Sequence, residues 1–393
     1  MTTEQDFVIV GGGLAAAKAA ETLRSKAPDA AIVVLTSENE LPYERPVLSK
    51  GYLLDNEERS SAFVHDQQWY DEQRIEVRRG ATVTAIDPAA HQVTLRSRDT
   101  VGYGKLLLAT GSEPRHLDLP GADAAGVLYL RNVEDADAIK ASFDGKRPLV
   151  VVGGGWIGLE VAAAAREHDI SVTVLELEEL PLLAVLGKEV AQVFADLHTE
   201  HGVQLLTKTK LAGIDATDGT VTGVTTDTGR QIEAGTVVVG IGVQPRIELA
   251  QQAGLDTDRG VLVNASLQSS DPDIFAAGDI AEVDHPVLGR RVRVEHWAFA
   301  NDSGPVAAQA MLGVEVSFGS RPYVFTDQYD LGMEYIGLVE PGQQVEVELS
   351  GDVPGRAFQA RWKAEGRVAA AMHVNLWDDG IDPLKAEVLE GLG

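Results

Sequence analysis

Gly153, Gly155 and Gly158 stand in GxGxxG spacing between an apolar run, Leu149–Val152, and an alanine-rich helical stretch, and Glu176 closes the apolar run that follows. In such an array the first glycine permits a tight turn, the second lets the backbone approach a pyrophosphate, and the third lets the helix pack closely on the strand. The helix N-terminus then offers unpaired N–H groups and a positive dipole to the phosphates. A carboxylate at the end of the second strand accepts hydrogen bonds from a ribose diol and repels a 2′-phosphate, so these residues predict a site for NADH rather than NADPH. The plainer alternative is a nucleotide-free βαβ unit with a glycine turn. The pattern occurs a second time near the N-terminus, where Phe7–Val10 runs into Gly11, Gly13 and Ala16 in GxGxxA spacing. One nicotinamide cofactor needs a single dinucleotide fold, and the economical reading gives a bound flavin to one and a nicotinamide dinucleotide to the other.

What the chain lacks narrows the chemistry. Its 393 residues contain no cysteine, which removes disulfides, thiolate zinc sites, iron–sulfur clusters and thiol redox relays. No GxSxG nucleophile arrangement is present. His198 and His201 have i, i+3 spacing near a helix end and read as surface histidines favoured by the helix dipole, so no metal site is expected. Trp69, Trp362 and Trp377 read as packing residues. A formal charge of −27 argues against nucleic acid or anionic lipid as partners. The N-terminus enters a strand without a basic leader or a long apolar run, so a cytoplasmic location is expected, with no membrane insertion.

The elements that must position these residues follow in order. LPYERPVLSKGYL is a turn and a short helix starting at Pro46, with Arg45 and Lys50 available for anions or carboxylates. Short strands over Arg78–Arg96 precede LLLATGSEPR, a buried strand ending in a Thr-Gly turn. After the second dinucleotide unit, alternating apolar and polar residues with Gly and Asp at turns predict a β-meander closing on Thr236–Gly240. SSDPDIFAAGDIA then places Gly278 and Asp279 after a short apolar strand, where an acid can bond a polyol while backbone N–H groups meet a pyrophosphate. A basic strand, Trp297 and a long apolar helix follow. From Phe318 a smaller α/β unit runs to a helix at Pro383–Leu392. The order is that of one βαβ-plus-meander module placed inside another.

VIVGGGLAAAKAAETLR, PYERPVLSKGYL, LLLATGSEPR, VVGGGWIGLEVA, DIFAAGDIA, VEHWAFA and PYVFTDQYDLGMEYIG occur in this fixed order. Over nearly its full length the chain resembles the flavin-dependent ferredoxin reductases of bacterial oxygenase systems, a group that includes putidaredoxin reductase and, more distantly, apoptosis-inducing factor. The resemblance implies an α/β protein with two Rossmann-like dinucleotide-binding domains of the glutathione-reductase-like FAD/NAD(P) fold and a C-terminal α+β interface domain. It places the FAD domain at 1–113 and 241–318, the NAD domain at 114–240 and the interface domain at 319–393.

Carried over residue by residue, the resemblance gives Gly11, Gly13 and Ala15 to the FAD pyrophosphate loop, Val83 to a backbone contact with adenine, and Gly278 and Asp279 to the ribityl side. Lys50 matches a lysine held near the flavin ring, Arg131 a flavin-side arginine, and Trp297 a position lining the flavin. Arg45 falls in the same flavin-binding segment as Lys50. Glu160 resembles a glutamate that pairs with that lysine; read alone, it is an acid on a helix face. Ile157 and Gly242 join Gly153, Gly155, Gly158 and Glu176 in the NADH set. Many relatives carry an acid at the position of Ser37, so Ser37 or Glu38 would hold the FAD ribose.

Without cysteines, electrons arriving from NADH must leave FAD directly, and a one-electron iron–sulfur ferredoxin serving a cytochrome P450 or ring-hydroxylating dioxygenase is the natural acceptor. The alternative is a redox-sensing flavoprotein of the apoptosis-inducing-factor type with little turnover. Ferredoxins are usually acidic, so the contact face needs local positive charge. Arg290, Arg291 and Arg293 are the candidates, with Arg74, Arg78 and Arg79 second, unless these are scattered surface arginines. Monomer and homodimer both remain open.

Overall fold

The computed structural model describes residues 3–340 and 342–390. The chain forms two compact units, one comprising residues 1–44, 62–113 and 244–323, the other 45–61, 114–243 and 324–393. Residues 1, 2, 341 and 391–393, which the expected domain boundaries include, lie outside the described residues, as do the last two positions of the helix expected over Pro383–Leu392.

The first unit is built on a parallel sheet in the order Ile75–Arg78, Ile32–Leu35, Thr3–Val10, Thr100–Leu108, with Ile274–Ala276 also paired to Thr100–Leu108. Val8 is in register with Val33 on one side and Leu106 on the other. All three are fully buried, as expected of parallel strands covered on both faces, which read as continuous apolar runs. The first strand begins at Thr3 rather than at Phe7, because Thr3, Glu4 and Gln5 pair with Val101, Gly102 and Tyr103. Antiparallel strands Val83–Asp87 and Gln92–Leu95 extend the sheet.

The second unit repeats the parallel plan in the order Gln204–Leu206, Val172–Leu175, Leu149–Val152, Thr236–Val239, Val127–Tyr129. The expected meander is a three-stranded sheet over Leu211–Thr217, Thr220–Thr226 and Gln231–Glu233. A five-stranded antiparallel sheet runs in the order Tyr323–Gln328, Leu331–Gly337, Arg367–Val374, Ala357–Ala364, Glu346–Asp352, followed by the helix Asp382–Glu390. Phe358, Trp362 and Met372 from this sheet share a core with Leu159, Leu186 and Phe194. The Trp362 indole N–H donates to the Leu186 carbonyl at 3.0 Å. The fold is thus α/β with two Rossmann-like halves and a C-terminal α+β portion.

Two expectations about single side chains are corrected. His198 is fully buried rather than on the surface, because Gln328 of the C-terminal sheet covers it and accepts a hydrogen bond at 2.8 Å. Trp362 is buried as expected, whereas Trp377 is 55% exposed, although its ring lies against Gly332 and meets His373 in a T-shaped contact. Among the described residues no helix is long and apolar enough to cross a membrane, and no three His, Asp or Glu residues are placed to hold a metal ion.

Candidate functional site

In the first unit the strand Thr3–Val10 delivers Gly11 with φ +130°, where a Cβ would lie 2.0 Å from the Ala109 carbonyl oxygen. Only glycine fits that turn. Gly13 caps the Leu14–Lys26 helix without a side-chain hydrogen bond, and the first helical turn carries no acid. A Cβ on Gly13 would meet nothing within 4 Å. The helix start therefore carries no side-chain cap and has open space beside Gly13, the room a pyrophosphate needs. Gly278, with φ +72°, brings its Cβ position to 3.3 Å from the Ala15 Cβ, so its turn meets the first turn of the Leu14–Lys26 helix. The half-buried Glu38 accepts a hydrogen bond from the Tyr43 hydroxyl at 2.5 Å, while Ser37 is exposed. Trp297 opens its helix and donates to a Glu44 oxygen at 2.9 Å. The preceding His296 buries Nδ1 without a partner among the described residues, and desolvation pushes its pKa down to about 4. Val83 is buried in its strand, so a ligand would meet its backbone rather than its side chain.

The second unit contains the parallel arrangement. Gly153 has φ +105°, and a Cβ there would lie 2.4 Å from the Gly240 carbonyl oxygen; one on Gly158 would lie 2.2 Å from the Gly153 carbonyl oxygen. Gly155 caps the Trp156–Glu167 helix with no side-chain bond and no acid in the first turn, and its Cβ would meet open space. Glu176 follows the strand Val172–Leu175 directly. One carboxylate oxygen accepts from the Gly154 N–H at 2.7 Å and the other from the Glu178 N–H at 2.8 Å. Ile157 and Leu177, at 40% and 66% exposure, flank these residues at the carboxyl ends of the strands, where open α/β sheets receive ligands. Gly242, with φ +97°, accepts a hydrogen bond at its carbonyl from the Arg115 N–H at 2.9 Å.

Lys50 and Glu160 meet within this same unit. The Lys50 ammonium lies 2.5 Å from Glu160 Oε1, and Glu160 is 5% exposed. Glu160 also accepts from the Ser49 hydroxyl and, at 2.6 Å, from the Thr326 hydroxyl. Gln328 donates to Thr326 Oγ1 at 3.1 Å and accepts from His198 at its own oxygen, so His198 is protonated on Nε2. Burial pushes the His198 pKa down to about 4. A buried ion pair survives when further donors satisfy the carboxylate, and Ser49 and Thr326 do so here. The segment bearing Lys50 is itself anchored: Lys140 donates to the Tyr52 carbonyl at 2.8 Å and the His168 ring lies 2.7 Å from the Leu53 carbonyl. Arg45 donates to the Arg131 carbonyl.

The basic candidates divide. Arg291 is exposed and donates to the Val263 and Glu282 carbonyls, beside Arg290 on the edge strand Arg290–Val292. Arg293 instead turns to the Asp279 carbonyl at 3.2 Å and to the Glu295 carboxylate. Arg74 is bound to the Pro28 carbonyl at 2.7 Å and Arg78 to Glu76 at 2.8 Å. Sequence reasoning missed Ser49, Thr326, Gln328 and Tyr43. These residues carry no spacing signal, and only folding brings them to their partners.

Residues 5–304 match the family described as pyridine nucleotide-disulphide oxidoreductase. The chain is similar to the ferredoxin–NAD(+) reductase component of the anthranilate 1,2-dioxygenase system from Burkholderia cepacia, at 43% identity over 95% of this chain and 91% of that one. Putidaredoxin reductase from Pseudomonas putida is 34% identical over 95% of this chain and 90% of its own. Among solved structures, the covalent putidaredoxin reductase–putidaredoxin complex matches with a TM-score of 0.94 at 32% identity, covering 98% of this chain and 94% of that one.

Proposed function

The chain belongs to the pyridine nucleotide-disulphide oxidoreductase family, and from that premise we propose that it is an NADH-dependent ferredoxin reductase, passing single electrons through FAD to an iron–sulfur ferredoxin that serves a cytochrome P450 or a ring-hydroxylating dioxygenase. The observation that carries the reading is two uncapped glycine-loop helix N-termini, each facing open space, in a chain without cysteine. FAD supplies the exchange between a two-electron donor and one-electron acceptors. The names of the relatives, reductases of dioxygenase and putidaredoxin systems, favour turnover over the redox-sensing alternative.

The same reading assigns a role to each candidate residue. Gly11, Gly13, Ala15 and Gly278 would cradle the FAD pyrophosphate, Asp279 would hold its polyol and Glu38 its ribose, with Val83 and Trp297 lining the site. Gly153, Gly155, Ile157, Gly158 and Gly242 would receive NADH, with Glu176 on the ribose diol. Lys50, fixed by Glu160, would hold positive charge toward the reacting ring, with Arg45 and Arg131 in the same compact unit. Hydride transfer needs no side-chain base, so the chain's work is to orient the reactants and exclude water. Arg290 and Arg291 would meet the ferredoxin, Arg293 standing behind them. Residues 319–393 would form an interface domain, residues 1–113 with 241–318 the FAD domain and residues 114–240 the NAD domain.

The reading is tested by mixing FAD-loaded protein with NADH and increasing ferredoxin. NADH consumption should rise in proportion to ferredoxin; consumption indifferent to ferredoxin would move the protein to the redox-sensing class.

A further inference from the structure

Glu160 is buried, yet it lies at the inner end of a cleft of about 300 Å³ within the second unit. That volume is enough for several water molecules. One wall is a single stripe of the Trp156–Glu167 helix and its cap: Glu160, Ala163, Ala164, Glu167 and His168, at i, i+3, i+4, i+7 and i+8. The two alanines leave the floor low. Seven residues of helix span about 10 Å, and the stripe leads from the buried Glu160 to the exposed Glu167. Gln328 and Tyr329 also line the cleft.

We propose that this cleft is a water-filled proton outlet serving the Lys50–Glu160 pair. The proposal rests on the reading above, in which that pair serves the redox site. Its necessity is stoichiometric: NADH gives NAD⁺, two electrons that leave singly to two acceptors, and one net proton that must reach solvent. Lys50 Nζ accepts that proton as it hands one of its own to Glu160 Oε1, and Glu160 releases it to cleft water and so past Glu167 and His168 to bulk. The pair returns to its starting state after each turnover. The groups facing the route are Glu160, Glu167, His168, Asp327 and Tyr329, with Lys50 behind Glu160 and Asp55 3.7 Å from the His168 ring.

The test is a single turnover in weak buffer. FAD-loaded protein reduced by one equivalent of NADH is mixed with ferricyanide, a one-electron oxidant that takes up no proton, while flavin absorbance and a pH-indicator dye are followed together. Ala163→Leu fills the floor of the cleft. Its dye signal should lag reoxidation by about tenfold, with the rate of reduction by NADH unchanged, and added imidazole should remove the lag. Ala163→Ser should behave as the parent. Ala163→Val, which fills less of the same floor, should produce a smaller lag and covers the case in which Ala163→Leu does not fold. Dye and absorbance traces that coincide in both Ala163→Leu and Ala163→Val would overturn the outlet. A parent protein that NADH does not reduce would instead overturn the functional reading.

Discussion

Glu176 is aimed before any ligand arrives, because both of its oxygens are taken by backbone N–H groups of Gly154 and Glu178. A carboxylate fixed there repels a 2′-phosphate by position rather than by chance orientation. Glu176→Gln should therefore raise kcat/KM for NADPH relative to NADH by about tenfold. An unchanged ratio in steady-state assays with both nucleotides would remove Glu176 as the selector. His198 carries a prediction about stability. Its pKa, held down to about 4 from an ordinary value of 6.5, means that the unfolded chain binds the proton more readily. Stability is full above pH 6.5 and is lost as pH falls toward 4, by up to about 3 kcal/mol. Denaturant titrations from pH 7 to 4 should show a shallower loss in His198→Gln than in the parent; equal slopes would contradict the assignment. The histidine's burial was not legible in the sequence, because its neighbours Thr199 and Glu200 are polar and the strand that covers it comes 130 residues later.

Between elements, the glycine loops were legible because each is a local device in which strand, turn and helix are consecutive. The contact that sets the first loop from behind was not. Gly304, inside the Trp297–Met311 helix, would place a Cβ 2.4 Å from the Ala15 carbonyl oxygen and 3.1 Å from the Ala19 nitrogen, both backbone atoms. That close approach fixes the Leu14–Lys26 helix, whose N-terminus is the proposed FAD cradle. Gly304→Val should displace the helix and weaken FAD retention by about tenfold or more, measured as flavin lost on dialysis, with NADH binding by the second unit unaffected. Full retention would show that the helix contact has slack. The Lys50–Glu160 pair gives the same lesson. Its existence was suggested only by the resemblance, since Ser49 lies 111 and Thr326 166 residues from Glu160, and no periodicity links them.

Across the whole molecule, a formal charge of −27 means that an acidic ferredoxin approaches against a repulsive field except where basic residues reverse it. Arg290→Glu with Arg291→Glu should slow ferredoxin reduction by about tenfold at low salt, and the difference should shrink as salt rises. A double variant as fast as the parent at low ionic strength would send the search for the contact face elsewhere. Composition alone excluded the thiol relay, and this leaves electrons a direct exit from the flavin. The most direct measurement of that claim is an anaerobic titration of FAD-loaded protein and excess oxidised ferredoxin with NADH, counting reduced ferredoxin spectroscopically. Two ferredoxins should be reduced for each NADH consumed, with NADPH much slower. Flavin that NADH bleaches, but that remains reduced in the presence of ferredoxin, would contradict it.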